Sequence, residues 1–270
     1  MSEEATINRV LKAIDTGNLL DFAIGIQDIK DINMNIERQN SYGTLLLFAV
    51  WEGKEEIVKM LVDLGASLGS QGETDYSPLA LASESGYLPV VQVLIDGGAD
   101  INGYGSSGIS ALQQACHEEH IDIVKFLLDK GADVNQRQGK DWSPLMAATS
   151  CGNVDIVRIL MEHGADLNAI DDEGSSAIYL ASAAGYTDIV HLLLNAGVDI
   201  NQSYKKDRFT ILQVASLFSN ASLVSYLLSK GADSMARDIY GRTARDLAAR
   251  HNNELIVELL ESHNLHLYGA

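Results

Sequence analysis

The chain has two cysteines and three prolines in 270 residues, and its 19 Lys+Arg are outnumbered by 37 Asp+Glu. Two cysteines cannot build a disulfide framework, so a reducing compartment is expected. The shortage of cations leaves a formal net charge of −18. That argues against a nucleic-acid surface, because such affinity rests on Lys and Arg neutralising phosphates. An anionic membrane leaflet would be repelled for the same reason. No apolar run is long enough to span a bilayer. The start, Met1-Ser2-Glu3-Glu4, is acidic where a signal peptide would be basic. A cytoplasmic protein is expected. Apolar residues are not lacking: at 46% they suffice for a core and exclude wholesale disorder despite the charge.

Those residues recur on a beat. A hydroxyl side chain stands at Thr44, Ser77, Ser110, Ser143 and Ser176, then at Thr210 and Thr243. The spacing is 33 residues, with one extra before Thr210 in the Lys205-Lys206-Asp207-Arg208 stretch. Ala49, Ala82, Ala115, Ala148, Ala181, Ala215 and Ala248 keep the same period, as do Gly65, Gly98, Gly131, Gly164, Gly197 and Gly231. Ser77-Pro78 and Ser143-Pro144 place an N-cap hydroxyl before a proline at the first helical position, where its missing N–H costs nothing. Small alanines then allow close helix approach, and Gly53, Gly86, Gly152 and Gly185 end the first helix. A second helix carries an apolar face such as Ile57, Val58, Leu61 or Ile156, Val157, Leu160. Polar connections follow, starting at Asp100-Ile101-Asn102 and its equivalents.

These residues resemble the ankyrin-repeat signature, Thr-Pro-Leu-His-x-Ala-Ala, Gly, Ile-Val-x-x-Leu-Leu, Gly-Ala-Asp-x-Asn, over residues 39 to about 262. The resemblance implies an all-α solenoid of stacked helix–turn–helix units with β-hairpin-like finger loops, and a concave face made by fingers and first helices. The whole chain, 1–270, is expected to be one solenoid. Capping helices are expected over 5–38, repeats over 39–71, 72–104, 105–137, 138–170, 171–204 and 205–237, and a capping repeat over 238–270. The family histidine is absent from all seven registers, replaced by Leu47, Ala80, Gln113, Met146, Tyr179, Gln213 and Asp246. Because that histidine is structural in the family, local stability is in question rather than activity. Glu119 and Ser219 replace the turn glycine, and Arg245 stands where Leu is usual.

No catalytic constellation stands out. His117-Glu118-Glu119-His120 puts its histidines at i and i+3, whereas the zinc motif needs i and i+4 on one helix face. A solvated turn is the preferred reading, a metal-dependent enzyme the alternative. No Gly-rich phosphate loop, nucleophile elbow or Cys-x-x-Cys is present, and no metal or cofactor is expected. Cys116 and Cys151 read as small helix residues. Glu56, Asp122, Asp155 and Asp188 sit at second-helix starts, where the macrodipole favours anions by ~0.3–1 kcal/mol. The row Asp100, Asp133, Asp166, Asp199, Asp233 reads as a solvated face, with steering of a basic partner as the competing role. An acidic nucleic-acid mimic is a further alternative.

The position before each N-cap lies on the finger and reads Gly43, Tyr76, Ile109, Trp142, Ser175, Phe209, Arg242. Large apolar groups there are expected to be exposed and to contact a partner, as Trp, Tyr and Arg do in binding hot spots. The competing reading is that they pack on neighbouring fingers. First-helix ends add Trp51, His117 and Phe218, and Tyr240 joins Arg242 on the last finger. Glu52, Glu73, Asp75, Glu84 and Glu118 make early repeats acidic, while Arg137, Lys140, Lys205, Lys206, Arg208, Arg237, Arg242 and Arg250 make later ones basic. The expected protein-binding set is Trp51, Tyr76, Ile109, His117, Trp142, Lys206, Arg208, Phe209, Phe218, Tyr240 and Arg242. A protein partner, no nucleic acid, no membrane and a monomer are expected. A chain that is almost all solenoid is expected to act by occupancy, as inhibitor, immunity-type antagonist or adaptor.

Overall fold

The computed structural model describes residues 3–38, 41–69, 76–137 and 141–268. The chain divides into two compact units, Met1–Gly139 and Lys140–Ala270.

The first unit opens with α1 (Glu3–Thr16) and α2 (Leu19–Ile26), which pack on each other. An antiparallel pair follows, β1 (Ile36–Arg38) and β2 (Ser41–Gly43), in the register Ile36↔Gly43. Helix pairs then succeed one another: α3 (Leu45–Trp51) with α4 (Glu55–Asp63), α5 (Pro78–Glu84) with α6 (Leu88–Asp96), and α7 (Ala111–His117) with α8 (Ile121–Asp129). First helices stack on first helices (α3 on α5, α5 on α7) and second on second. The second unit repeats the scheme with α9 (Pro144–Cys151) and α10 (Val154–Glu162), then α11 (Ala177–Ala184) and α12 (Thr187–Asn195). A hairpin of β3 (Ser203–Tyr204) and β4 (Phe209–Thr210) leads to α13 (Ile211–Leu217) and α14 (Ala221–Ser229). α15 (Ala244–Arg250) and α16 (Glu254–Tyr268) close it. Among the described residues no helix is long and apolar enough to cross a membrane.

First helices of seven or eight residues are too short to persist alone, so capping and packing must hold them. Each of the seven predicted N-caps, Thr44, Ser77, Ser110, Ser143, Ser176, Thr210 and Thr243, accepts the backbone N–H three residues on. A cap of this kind contributes ~1 kcal/mol. α3 lies against α1, α4 and α5, and accordingly buries every residue from Leu45 to Val50. Second helices have one covered face: Ile57, Val58, Leu61 and Ile156, Val157, Leu160 are wholly buried. Burying each such side chain stabilises the fold by ~1.5–3 kcal/mol.

The missing family histidine is replaced by another device in three registers. Gln113, Gln213 and Asp246 each accept the N–H of their own N-cap residue at 2.9 Å, closing a capping box. Gln213 does more, since its Nε2 donates to the carbonyls of Ala236 (3.1 Å) and Arg242 (2.9 Å) in the following loop. The aspartate row also has a local task. Asp100, Asp133, Asp166, Asp199 and Asp233 each accept the N–H two residues on, forming Asx turns that keep the carboxylates in water. Asn102 and Asn201 then accept the N–H of Asp133 and Asp233, tying one repeat's loop to the next.

Turn glycines are required where the next repeat crowds them. Gly86 has φ +77, and a Cβ there would lie 2.6 Å from the His120 ring. Glu119 (φ 62) and Ser219 (φ 64) adopt the same left-handed backbone without glycine. Such a conformation costs roughly 1–2 kcal/mol for a residue with a Cβ.

Candidate functional site

In the first unit the seventh residue of α3 escapes the packing that buries the previous six: Trp51 is 62% exposed. The equivalent ends of α5 and α7 carry Glu84 and His117, with Glu118 next to His117. His117 Nδ1 lies 2.8 Å from Glu118 Oε1. Burial, and then the charge of Glu118, push the Glu84 carboxyl above its ordinary value, with His117 opposing them. His120 is turned elsewhere, its Nε2 donating to the Glu84 carbonyl at 3.0 Å. Among the described residues no group of three or more His, Cys, Asp or Glu is placed to hold a metal ion. Tyr76 and Ile109, before the N-caps of α5 and α7, are half-buried rather than fully projecting. Glu73, Asp75 and Lys140 of the expected charge pattern lie outside the described residues.

In the second unit Trp142 and Lys205 are half-buried, Ser175 is buried, and Lys206 and Arg208 are exposed. Phe218, just past α13, is 54% exposed. The expectation for Phe209 is overturned: it is only 8% exposed. Residues 203–210 form a hairpin in which Tyr204 and Phe209 face each other across the strands. Directly opposed residues share a face, and here both turn inward. The neighbouring-finger packing that competed with a binding role is therefore the outcome at this position. Arg242 is likewise engaged within the molecule. Its guanidinium lies over the rings of Tyr240 (4.5 Å) and Phe209 (5.8 Å), and its Nε donates to Asp238 at 2.6 Å.

Two fingers of this unit share one construction. In the first, Asp171 N donates to the Ser175 carbonyl and Gly174 N to the Asp171 carbonyl, both at 2.9 Å. Asp171 Oδ1 accepts the N–H groups of Glu173 (2.9 Å) and Ser175 (2.7 Å). In the second, Asp238 N donates to the Arg242 carbonyl at 3.1 Å and Gly241 N to the Asp238 carbonyl at 3.0 Å. Asp238 Oδ1 accepts from Tyr240 N (2.9 Å) and Arg242 N (2.8 Å). Burial of this carboxyl alone would raise its pKa, but the Arg242 and Tyr240 hydrogen bonds and the Arg242 charge together hold it below the ordinary value. The loops are also tied to 203–210: Lys205 N donates to the Gly174 carbonyl (2.9 Å) and Ile239 N to the Asp207 carbonyl (3.1 Å).

What these loops hold outward differs. At the first tip are Asp172 and Glu173, both exposed, with Lys205 Nζ 3.4 Å from Glu173 Oε2. At the second are Ile239, 51% exposed, and Tyr240, 65% exposed. The two pinning aspartates and Ile239 fall outside the set expected from sequence. The signal was present as Asp-x-x-Gly, in Asp171–Gly174 and Asp238–Gly241, whose two middle residues must form the tip.

A profile of ankyrin repeats in three copies matches residues 46–138 and 136–204, more than half of the chain. The chain belongs to the ankyrin-repeat family. No curated protein matches it. Ankyrin repeats are generally protein–protein interaction modules and typically non-enzymatic. The capped first helices and Asx-turn loops described above are the ankyrin layout in this chain. The matched stretch stops at 204. The inserted residue, Ser219 and the apolar last finger all lie beyond it.

Proposed function

We propose that this ankyrin protein is a non-catalytic binding module that grips one protein partner stoichiometrically, as an inhibitor, an immunity-type antagonist or an adaptor. The observation that carries the proposal is the exposure of large aromatic groups at first-helix ends and on a finger: Trp51, Phe218 and Tyr240. Solitary exposed apolar residues need no explanation, but aromatics set at the family's partner-facing positions have the composition of a hot spot. Exposed His117 and half-buried Tyr76 and Ile109 in the first unit, and half-buried Trp142 with exposed Lys206 and Arg208 in the second, are proposed to contribute as well. Arg242 acts as a brace for Tyr240. The low cysteine count favours a reducing, cytoplasmic setting, and the net charge of −18 favours a monomer over self-association. The repeat boundaries 39–71 through 205–237, with caps on either side, are proposed as the unit of organisation.

The test is affinity capture from the native lysate with the wild-type chain beside a Trp51→Ala, Phe218→Ala variant, followed by light scattering of the purified complex. A partner that depends on these side chains and elutes as a one-to-one complex is expected. If nothing is retained by the wild type, or the complex turns substrate over, the reading fails.

A further inference from the structure

We propose that the Asp238-pinned tip, Ile239–Tyr240, together with Lys206 and Arg208, is the anchor for an acidic segment of the partner, one in which carboxylates flank an apolar or aromatic side chain. This rests on the binding-module reading and names the chemistry of its target.

Three observations converge. First, the tip is built before any partner arrives. Asp238 accepts both the Tyr240 and Arg242 N–H groups, Ile239 N is bonded to the Asp207 carbonyl, and the Arg242 guanidinium backs the Tyr240 ring at 4.5 Å. Ordering at an interface is a major cost of binding, and a loop already ordered escapes most of it. Second, the two side chains so fixed are apolar and exposed, where the Asp171 loop presents Asp172 and Glu173. Apart from the Tyr240 contact with Arg242, what these side chains expose adds little to the fold. Third, the charge beside it is inverted relative to the chain. Lys206 and Arg208 are exposed on the turn that holds Ile239, and neither is in an ion pair with a described residue. Of the carboxylates at hand, Asp238 is paired with Arg242, Glu173 with Lys205, and Asp207 is half-buried. A negatively charged partner segment therefore meets local attraction on a molecule of net charge −18.

A tyrosine with two cations also fits single-stranded nucleic acid, by stacking and phosphate contact. That affinity needs a run of cations along the backbone. Two cations on an acidic molecule fit a short carboxylate cluster better, so the protein segment is preferred.

The decisive experiment uses the isotope-labelled full chain, titrated at low salt with a random glutamate–tyrosine copolymer and followed by amide chemical shifts. Shifts confined to residues 206–208 and 237–242 are expected, fading as salt rises. Ile239→Ala with Tyr240→Ala should weaken binding about tenfold, the scale of a small hot spot, while leaving the thermal midpoint unchanged. Lys206→Gln with Arg208→Gln should abolish the salt dependence. Equal binding of polyglutamate without tyrosine would overturn the proposal, as would equal binding of a single-stranded DNA oligonucleotide. So would shifts centred on Trp51 and Glu84. A lysate partner held as well by the Ile239→Ala, Tyr240→Ala variant would also overturn this anchor, yet leave the binding-module reading standing. The copolymer footprint does not depend on that capture.

Discussion

The fingers 171–175 and 238–242 have the same backbone and opposite tips. Each is closed by an aspartate whose carboxylate gathers two N–H groups and by a glycine in the left-handed region, Gly174 at φ +79 and Gly241 at φ +74. One holds out Asp172 and Glu173, the other Ile239 and Tyr240. Conformation in these loops is set by hydrogen bonds that the tip side chains do not make, so the tips can change without changing the loop. The pins themselves are unequal. Asp238 carries an ion pair in addition to its backbone bonds, whereas Asp171 carries the backbone bonds alone.

Removing the pins should give the largest effects. Asp238→Ala removes two backbone hydrogen bonds and the ion pair with the half-buried Arg242, and should cost about 3 kcal/mol. Asp171→Ala loses hydrogen bonds to a charged acceptor and should cost about 2 kcal/mol. Chemical denaturation of both variants checks the order; an equal loss would mean the ion pair adds nothing. Acid should erase the first difference. The Asp238 carboxyl is held below its ordinary value of 3.8. Its contribution is therefore present above that pH and lost as pH falls through the lower folded-state value. Asp246 is lowered too, chiefly by the Thr243 N–H, and adds to the same acid loss. Wild type and Asp238→Ala should converge in denaturation midpoint well below pH 3.8.

The glycines separate the fingers next. A Cβ at Gly174 would meet the Lys205 Cα at 3.1 Å and N at 3.2 Å, while one at Gly241 meets nothing within 4 Å. Gly241→Ala should cost only the left-handed backbone term, ~1 kcal/mol, and Gly174→Ala about 2 kcal/mol. Thermal unfolding of the two variants measures the gap. The same backbone term runs in reverse at Ser219 (φ 64), where Ser219→Gly should gain ~0.5–1 kcal/mol and raise the melting temperature. The smallest effect on stability is expected from exchanging the tips. Ile239→Asp with Tyr240→Glu should change it by no more than ~0.5 kcal/mol. A larger loss would show that the apolar tip is part of the fold and not a surface held for a partner.

Much of the ankyrin architecture was legible without coordinates, because it rests on short-range chemistry. The seven N-cap hydroxyls, the turn glycines and the Ile-Val-x-x-Leu faces act within a few residues of themselves, and each forms as read. The replaced histidine was legible as an absence only. That Gln213 would serve both its own N-cap and two carbonyls of the next loop depends on where residues 236 and 242 lie. Phe209 and Tyr240 show the limit most plainly. Both are aromatic and both stand near an N-cap, yet one is buried opposite Tyr204 and the other is the most exposed aromatic side chain of its finger.

Amino-acid order alone settles the 33-residue unit, the caps that start its helices and the faces that they bury. Those features depend on neighbours three or four positions away along the chain. Which bulky side chains remain in water is a tertiary matter. In the second unit, loops lean on others some thirty residues distant, as Lys205 does on Gly174 and Ile239 on Asp207. At 209 that leaning puts a ring in the core opposite Tyr204, while Tyr240 on the last finger stays in water.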